Sequence, residues 1–286
     1  MKILYIAEIV GKAGIYAFKN GLGPIKKRYK VDFVIACADG ATGGNGLGRN
    51  HAAYLHKLGA NVLTTGDCCF YKKDLVENLG RIHYVLRPEN LNPHAPGVGF
   101  RHFSVGEEKA GLAVLIGQSG FNRIHGENPI ARLPALLEQL YRESPYVVVD
   151  FHAWATGEKR AVFAALDGRC SAIIGSHGRV QTADEAILPG GTAVITDAGR
   201  TGSINSVGGA DTESRIQEYL TGIPDWTKDA WDMPEIQGVL IDINREGKAL
   251  SIERIRYAVP PPSPKKPAAS GEKDDSAPPE EVFGDR

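Results

Sequence analysis

Residues 31–46 read VDFVIACADGATGGNG: a continuous apolar run, then a carboxylate, Asp39, then a glycine-rich stretch. A short apolar run with no polar alternation is the pattern of a strand buried on both faces. The same format stands on either side of it. KILYIAEIVG at 2–11 places Glu8 after an apolar run, and ANVLTTGDCCFYKKD at 60–74 places Asp67 after another. Further on, YVVVDFHAWAT at 146–156 carries His152, and SAIIGSHGRVQTAD at 171–184 carries His177. Each chemically useful side chain therefore sits where a strand ends.

Helix-like stretches separate these runs, at 14–28, 50–58 and 71–79, and further strands are expected at HYVLR, GLAVLIG and TAVITD. Strand–helix alternation predicts an α/β fold with helices flanking the sheet. In such folds ligands gather beyond the carboxyl ends of the strands, where Glu8, Asp39, Asp67, His152 and His177 all fall. The pattern changes near the end of the chain. IQGVLIDINREGKALSIERIRYAV reads as a hairpin turning at Asn244–Lys248. Residues 258–286 are rich in proline and charge and poor in large apolar groups, which predicts a disordered tail that cannot offset its ordering entropy. The expected folded domain is 1–257.

Composition narrows the function classes. The chain has 286 residues, 42% of them hydrophobic, enough for a substantial core. A net charge of −1 supplies no basic field for nucleic acid. No apolar run approaches the roughly 20 residues of a membrane helix. The first residues run straight into a strand without a leader pattern, and the four cysteines, Cys37, Cys68, Cys69 and Cys170, show no CxxC or disulfide spacing. The expectation is a cytoplasmic chain with reduced thiols. ADGATGGNGLG at 38–48 lacks the Lys-Ser/Thr of a phosphate-binding P-loop and opens no dinucleotide fold, so it is read as an active-site loop. His51, His56, His83, His94, His102 and His125 have no metal-ligand spacing.

The wording and order of the blocks resemble the YmdB-like family of calcineurin-type metallophosphoesterases. AEIVG at 7–11, GDCCFYKKD at 66–74, LRPEN at 86–90, DFHAWATGEK at 150–159 and GSHGRVQTADEAILPGGTAVITDAGRTG at 175–202 carry that resemblance. It implies an α/β/β/α sandwich and a cytoplasmic phosphodiesterase acting on cyclic nucleotides. It also implies divalent ions such as Fe or Mn. Two such ions share a bridging carboxylate, activate water and clamp the phosphoryl oxygens, while a histidine protonates the leaving oxygen.

Several positions depart from the family pattern. A first-metal aspartate is expected at Glu8 and a bridging glutamate at Asp39; one side chain is a methylene longer and the other a methylene shorter, a reach difference of about 1.5 Å each. The two changes either compensate or record relaxed constraint. Gly40 replaces a substrate-contacting asparagine and offers no side chain. Asp67 replaces an asparagine ligand and remains ligand-competent. Cys68 stands at the catalytic histidine position, where its thiol is either a buried apolar residue or, beside a metal, a thiolate. Cys69 reads as packing.

His152 and His177 match family ligands directly, but Arg179 occupies the second position of a family His-x-His. A guanidinium is never a metal ligand. Two unit charges 4 Å apart interact by about 4 kcal/mol at an effective dielectric of 20, and a divalent ion would feel about twice that. The second metal site, from Asp39, Asp67, His152 and His177, is complete. The first, from Glu8, Asp39 and Arg179, is opposed, and Arg179 is left either to pair with Glu8 or to hold a phosphate. The expectation is one ion or none, with either a weakened phosphodiesterase or a non-catalytic module binding a nucleotide or a protein. The sequence is compatible with a homo-oligomer.

Overall fold

The computed structural model describes residues 1–224 and 228–261. The first half of the chain runs β1 (Lys2–Ile6), β2 (Glu8–Ile9), α1 (Gly11–Tyr29), β3 (Phe33–Cys37), α2 (Arg49–Lys57), β4 (Val62–Thr64), α3 (Lys73–Val76) and β5 (Val85–Leu86). It continues with β6 (Phe100–Val105), β7 (Glu108–Ile116), α4 (Pro129–Tyr141), β8 (Tyr146–His152), α5 (Thr156–Leu166) and β9 (Ala172–Ser176). The last elements are β10 (Ala186–Ile187), β11 (Ala193–Ile195), β12 (Arg200–Ser203), α6 (Thr212–Thr221), β13 (Pro234–Ile243) and β14 (Ala249–Ala258).

Two sheets result. One is ordered β2-β12-β13-β1-β3-β4-β5 with β14 on the far side of β13; the other is ordered β10-β11-β9-β8-β7-β6. Strands β1, β3, β4 and β5 are parallel, as are β7, β8 and β9. Because side chains alternate along a strand, each buried strand serves two cores. In β1, Ile3 and Tyr5 join Phe33, Ile35, Leu112, Val148 and Ile174 between the two sheets. Leu4 and Ile6 face the other way onto Ala17, Phe18, Leu22 and Ile25 of α1. Likewise Val147, Val149 and Phe151 of β8 pack on Leu133, Leu136 and Val162 of α4 and α5. The layers are helix, sheet, sheet, helix, which is the α/β/β/α arrangement expected.

Differences from the sequence reading have local causes. The expected helix at 71–79 shrinks to the four residues of α3, because its flanks close as single turns, Tyr71 N–H to Cys68 O and Asn78 N–H to Leu75 O. Strand β7 starts earlier than expected and pairs antiparallel with β6, whose FRHFSV is half-exposed and polar and so carries no buried-strand signal. Helices α4 and α5 lie where none was read. In α4, Pro129 and Pro134 hide the helical pattern, while the Asn128 side chain caps the start through the N–H groups of Ile130 and Ala131. The terminal hairpin turns as expected, with Asn244 N–H bonded to Lys248 O at 2.9 Å. Ala258 closes β14 and Val259 is buried; the remainder of the expected tail, 262–286, lies outside the described residues.

Candidate metal centre and adjoining cavity

The crossing of the two sheets brings the candidate residues to one place. Glu8 follows β1, Asp39 lies just past β3, Asp67 just past β4, His152 ends β8 and His177 follows β9. Three atoms converge: His152 Nε2 is 2.8 Å from Asp67 Oδ1, His177 Nδ1 is 3.2 Å from the same oxygen, and the two ring nitrogens are 3.1 Å apart. Adjacent ligands of an octahedral ion with bonds of about 2.1 Å are separated by about 3.0 Å, so this triangle has the dimensions of one face of a coordination shell. The donor set and spacing therefore fit a divalent ion. Asp39 lies further out, 3.8 Å from His152 Nε2, and its ligand-capable atoms group with those of Asp67 and Cys68.

The orientation of His152 is set from behind. Ser176 Oγ donates to Asp150 Oδ1 at 2.7 Å, and Tyr5 and Thr64 hydroxyls donate to Asp150 Oδ2. With its hydrogen given to Asp150, Ser176 Oγ accepts from His152 Nδ1 at 3.1 Å. A neutral His152 must then turn the lone pair of Nε2 toward Asp67. That is the tautomer a metal ligand needs, with the outer-shell oxygen chain metal-ligating histidines ordinarily carry. Burial alone would lower the His152 pKa, but the hydrogen bond to Asp67 and the charge of Asp39 push it up to about 9. Burial pushes the Asp39 carboxyl up to about 7, with His152 opposing.

Gly66 matters at this point. A Cβ built there would lie 2.2 Å from His152 Nε2, so only glycine lets the β4 loop approach the ring. Asp39 holds that loop through the N–H groups of Gly66, at 2.6 Å, and Cys68, at 3.0 Å. Cys68 and Cys69 are both buried, and burial followed by the charge of Asp39 drives both thiols well above the usual range. Cys69 packs with Leu91 and Ile116, as the sequence suggests.

Across the centre, Arg179 donates from Nε and Nη2 to Glu8 Oε1 at 3.0 and 2.7 Å. Nη2 also reaches Gly44 O at 2.8 Å, and Nη1 reaches Gly208 O at 3.1 Å. Of the two roles left open for Arg179, the pairing with Glu8 is the one observed. Four of the five guanidinium hydrogens are engaged in these bonds. A Cβ on residue 40 would stand 2.9 Å from both Arg179 Nη2 and Glu8 Oε1. Gly40 therefore gives the pair its clearance: an asparagine at 40 would push the guanidinium aside.

Residues 177–179 form a tight loop with His177 at φ 91° and Arg179 at φ 57°, values L side chains rarely adopt. It is held by Asp197, whose Oδ2 accepts from Gly178 N at 2.7 Å and from the buried Lys159 Nζ at 3.0 Å, and whose Oδ1 accepts from Gly199 N at 2.9 Å. The roles of Asp150, Ser176, Lys159 and Asp197 escaped the sequence reading. A signal existed: a lone aspartate inside YVVVDFH has to be satisfied by something.

Outside the centre, a cavity of about 220 Å³ opens beside Asp67 and His177, lined by Tyr71, Phe121, Arg123 and Trp154 among others. These residues also escaped the sequence reading, for they come from three separate loops. His125, in the same loop as Phe121, is exposed. The loop 38–48 does border the centre, through Gly44. Among the described residues no helix is long and apolar enough to cross a membrane.

Two face-to-face sheets with carboxylates and histidines at their strand ends define a calcineurin-type metallophosphoesterase fold. Comparison with known proteins narrows this further. The profile of the family described as YmdB-like protein matches residues 4–255. The chain is 34% identical over 256 residues to the 2',3'-cyclic-nucleotide 2'-phosphodiesterase of Bacillus subtilis, covering 89% of this chain and 96% of that one. The crystal structure of a novel phosphatase from Mycoplasma pneumoniae superposes with a TM-score of 0.85 at 31% identity, covering 90% of this chain and 93% of that one. A crystal structure of a hypothetical protein from Thermus thermophilus gives 0.84 at 32% identity, covering 91% of this chain and all of the other. The chain belongs to the YmdB-like family.

Proposed function

We propose that the chain is a phosphodiesterase of low turnover, acting on nucleotide phosphodiesters such as 2',3'-cyclic nucleotides through a centre that holds one divalent ion. The reading is carried by one contrast. Asp67, His152 and His177 present convergent ligand atoms, whereas the Glu8 carboxylate is already neutralised by Arg179. The residues do not fit a second ion: placing one beside Glu8 and Asp39 would set it against a partly buried guanidinium that Glu8 itself holds. Domain 1–257 would be the catalytic unit, and its buried free thiols suit a cytoplasmic setting.

When bound, a divalent ion supplies Lewis-acid polarisation of the phosphoryl group and a lowered pKa for water. The chain's own residues do the rest. Asp67, His152 and His177 hold the ion, with Asp39 bracing the loop that carries Asp67. Arg179 contributes a fixed positive charge at the edge of the centre, acting through its field, since only one of its hydrogens is free for a substrate oxygen. Cys68 faces the site as a neutral thiol whose pKa is driven upward, a poor donor to a leaving oxygen. That deficiency is the reason for expecting slow turnover. It also favours a second reading, a non-catalytic nucleotide- or protein-binding module, in which nucleotide binds without being hydrolysed.

Metal analysis of protein purified without chelator should give about one ion per chain, and the Cys68→His/Arg179→His double variant about two, with hydrolysis of bis(p-nitrophenyl) phosphate rising at least about tenfold. Two ions in the unaltered protein would refute the one-ion centre. A related result is expected behind His152. Ser176→Ala removes the acceptor that holds the ring in its ligand tautomer and should weaken divalent-ion affinity about 10- to 100-fold, measured by competition with a chromogenic chelator. An affinity within twofold of the parent would show that Ser176 does not act on the centre.

A further inference from the structure

The cavity beside Asp67 and His177 is surrounded by three aromatic rings, and two of them are not needed for packing. Trp154 is 64% exposed and Tyr71 44% exposed, although large aromatic side chains are normally mostly hidden. Trp154 is nonetheless fixed: it lies against Gly120, where a Cβ would come within 2.7 Å of its ring, and its centroid is 5.1 Å from that of His177. Phe121 contacts His177 edge-on at 5.0 Å between centroids. Arg123, an exposed side chain, adds a cation to the same wall.

We propose that this cavity is a nucleobase subsite. The base of a mononucleotide stacks on Trp154, Tyr71 and Phe121 close the remaining sides, and Arg123 faces the phosphate, whose phosphoryl group then reaches Asp67 and His177. The inference rests on the phosphodiesterase reading above and names what sets substrate preference within it. Size supports a base and not a whole nucleotide inside it: at about 220 Å³ the cavity is smaller than the roughly 300–1,000 Å³ of pockets that enclose drug-sized ligands, so the sugar and phosphate would lie at its mouth, toward Asp67 and His177. Its chemistry supports a base, because a π-face stacks on an indole irrespective of base identity while a flanking guanidinium answers the charge. The preference for one base over another is accordingly expected to be weak.

The test uses the full chain with its bound ion and two substrates sharing a cyclic phosphodiester: adenosine 2',3'-cyclic phosphate and glycerol 1,2-cyclic phosphate, which has no base. Trp154→Ala should lower the preference in kcat/KM for the adenosine compound about tenfold, through KM and not kcat. Trp154→Phe, which keeps a stacking face, should restore most of that preference. Binding is read separately by titrating adenosine 3'-monophosphate against intrinsic fluorescence in the parent and Trp154→Phe, and by calorimetry in Trp154→Ala. If the parent hydrolyses neither compound but the monophosphate still binds about tenfold more weakly to Trp154→Ala, the phosphodiesterase reading fails and the subsite stands. An equal loss on both substrates, or a preference that Trp154→Ala does not move, overturns the subsite. As Trp154 is exposed, its removal does not threaten folding.

Discussion

Arg179→Ala is expected to destabilise the folded chain by about 3–5 kcal/mol, the usual consequence of stranding one member of a buried ion pair. Glu8 is 2% exposed, and its Oε2 is already buried with no partner; Oε1 depends on the guanidinium for its two bonds. Alanine removes both bonds and the charge together, and also frees the carbonyls of Gly44 and Gly208. The loss should appear as a lower midpoint in urea with an unchanged slope. A histidine at 179 in the presence of divalent ion should recover part of it, because an ion beside Glu8 restores the missing positive charge. If Arg179→Ala unfolds within about 1 kcal/mol of the parent, the pair is dispensable and the case that it replaces an ion weakens with it.

Lys159→Met is expected to cost a similar amount, about 3–5 kcal/mol, and to loosen the metal centre as well. Lys159 and Asp197 are both almost fully buried and meet at 3.0 Å. Burial pushes the Asp197 carboxyl upward and the ammonium opposes that, so removing the lysine leaves a carboxylate the interior does not tolerate. Asp197 is also the acceptor for Gly178 N and Gly199 N, and through Gly178 it holds the loop that sets His177 at φ 91°. Loss of the pair should therefore show in divalent-ion retention as well as in urea. The Lys159→Met/Asp197→Asn variant should regain part of the stability, since a neutral amide oxygen still accepts from one backbone N–H. A stability loss with ion affinity unaltered would show that the pair supports the core and not the loop.

These two pairs illustrate what a one-dimensional reading can reach. Glu8, Asp39, Asp67, His152 and His177 were legible because each follows an apolar run, and a parallel sheet delivers residues in that position to one edge. Arg179 was legible as an intruder, since its residue type cannot ligate a cation. Its partner was only one of two options, because the choice depends on a contact between positions 171 residues apart. Gly40 read as the loss of an asparagine; it is also the clearance that Arg179 and Glu8 need. Asp150 and Ser176 carried no motif of their own, and their meaning comes from lying on adjacent parallel strands with Ser176 level with His152.

The chain of residues taken alone determined the class of fold and the set of side chains that meet at the centre, because buried strands and their termini are written in local apolar patterning; the family showed in the wording of its motif blocks. Only the tertiary structure decided which charges neutralise one another, which tautomer His152 adopts and which rings wall the neighbouring cavity. Those properties depend on distances of about 3 Å between loops remote in sequence, set by how two sheets pack, and no local pattern encodes them.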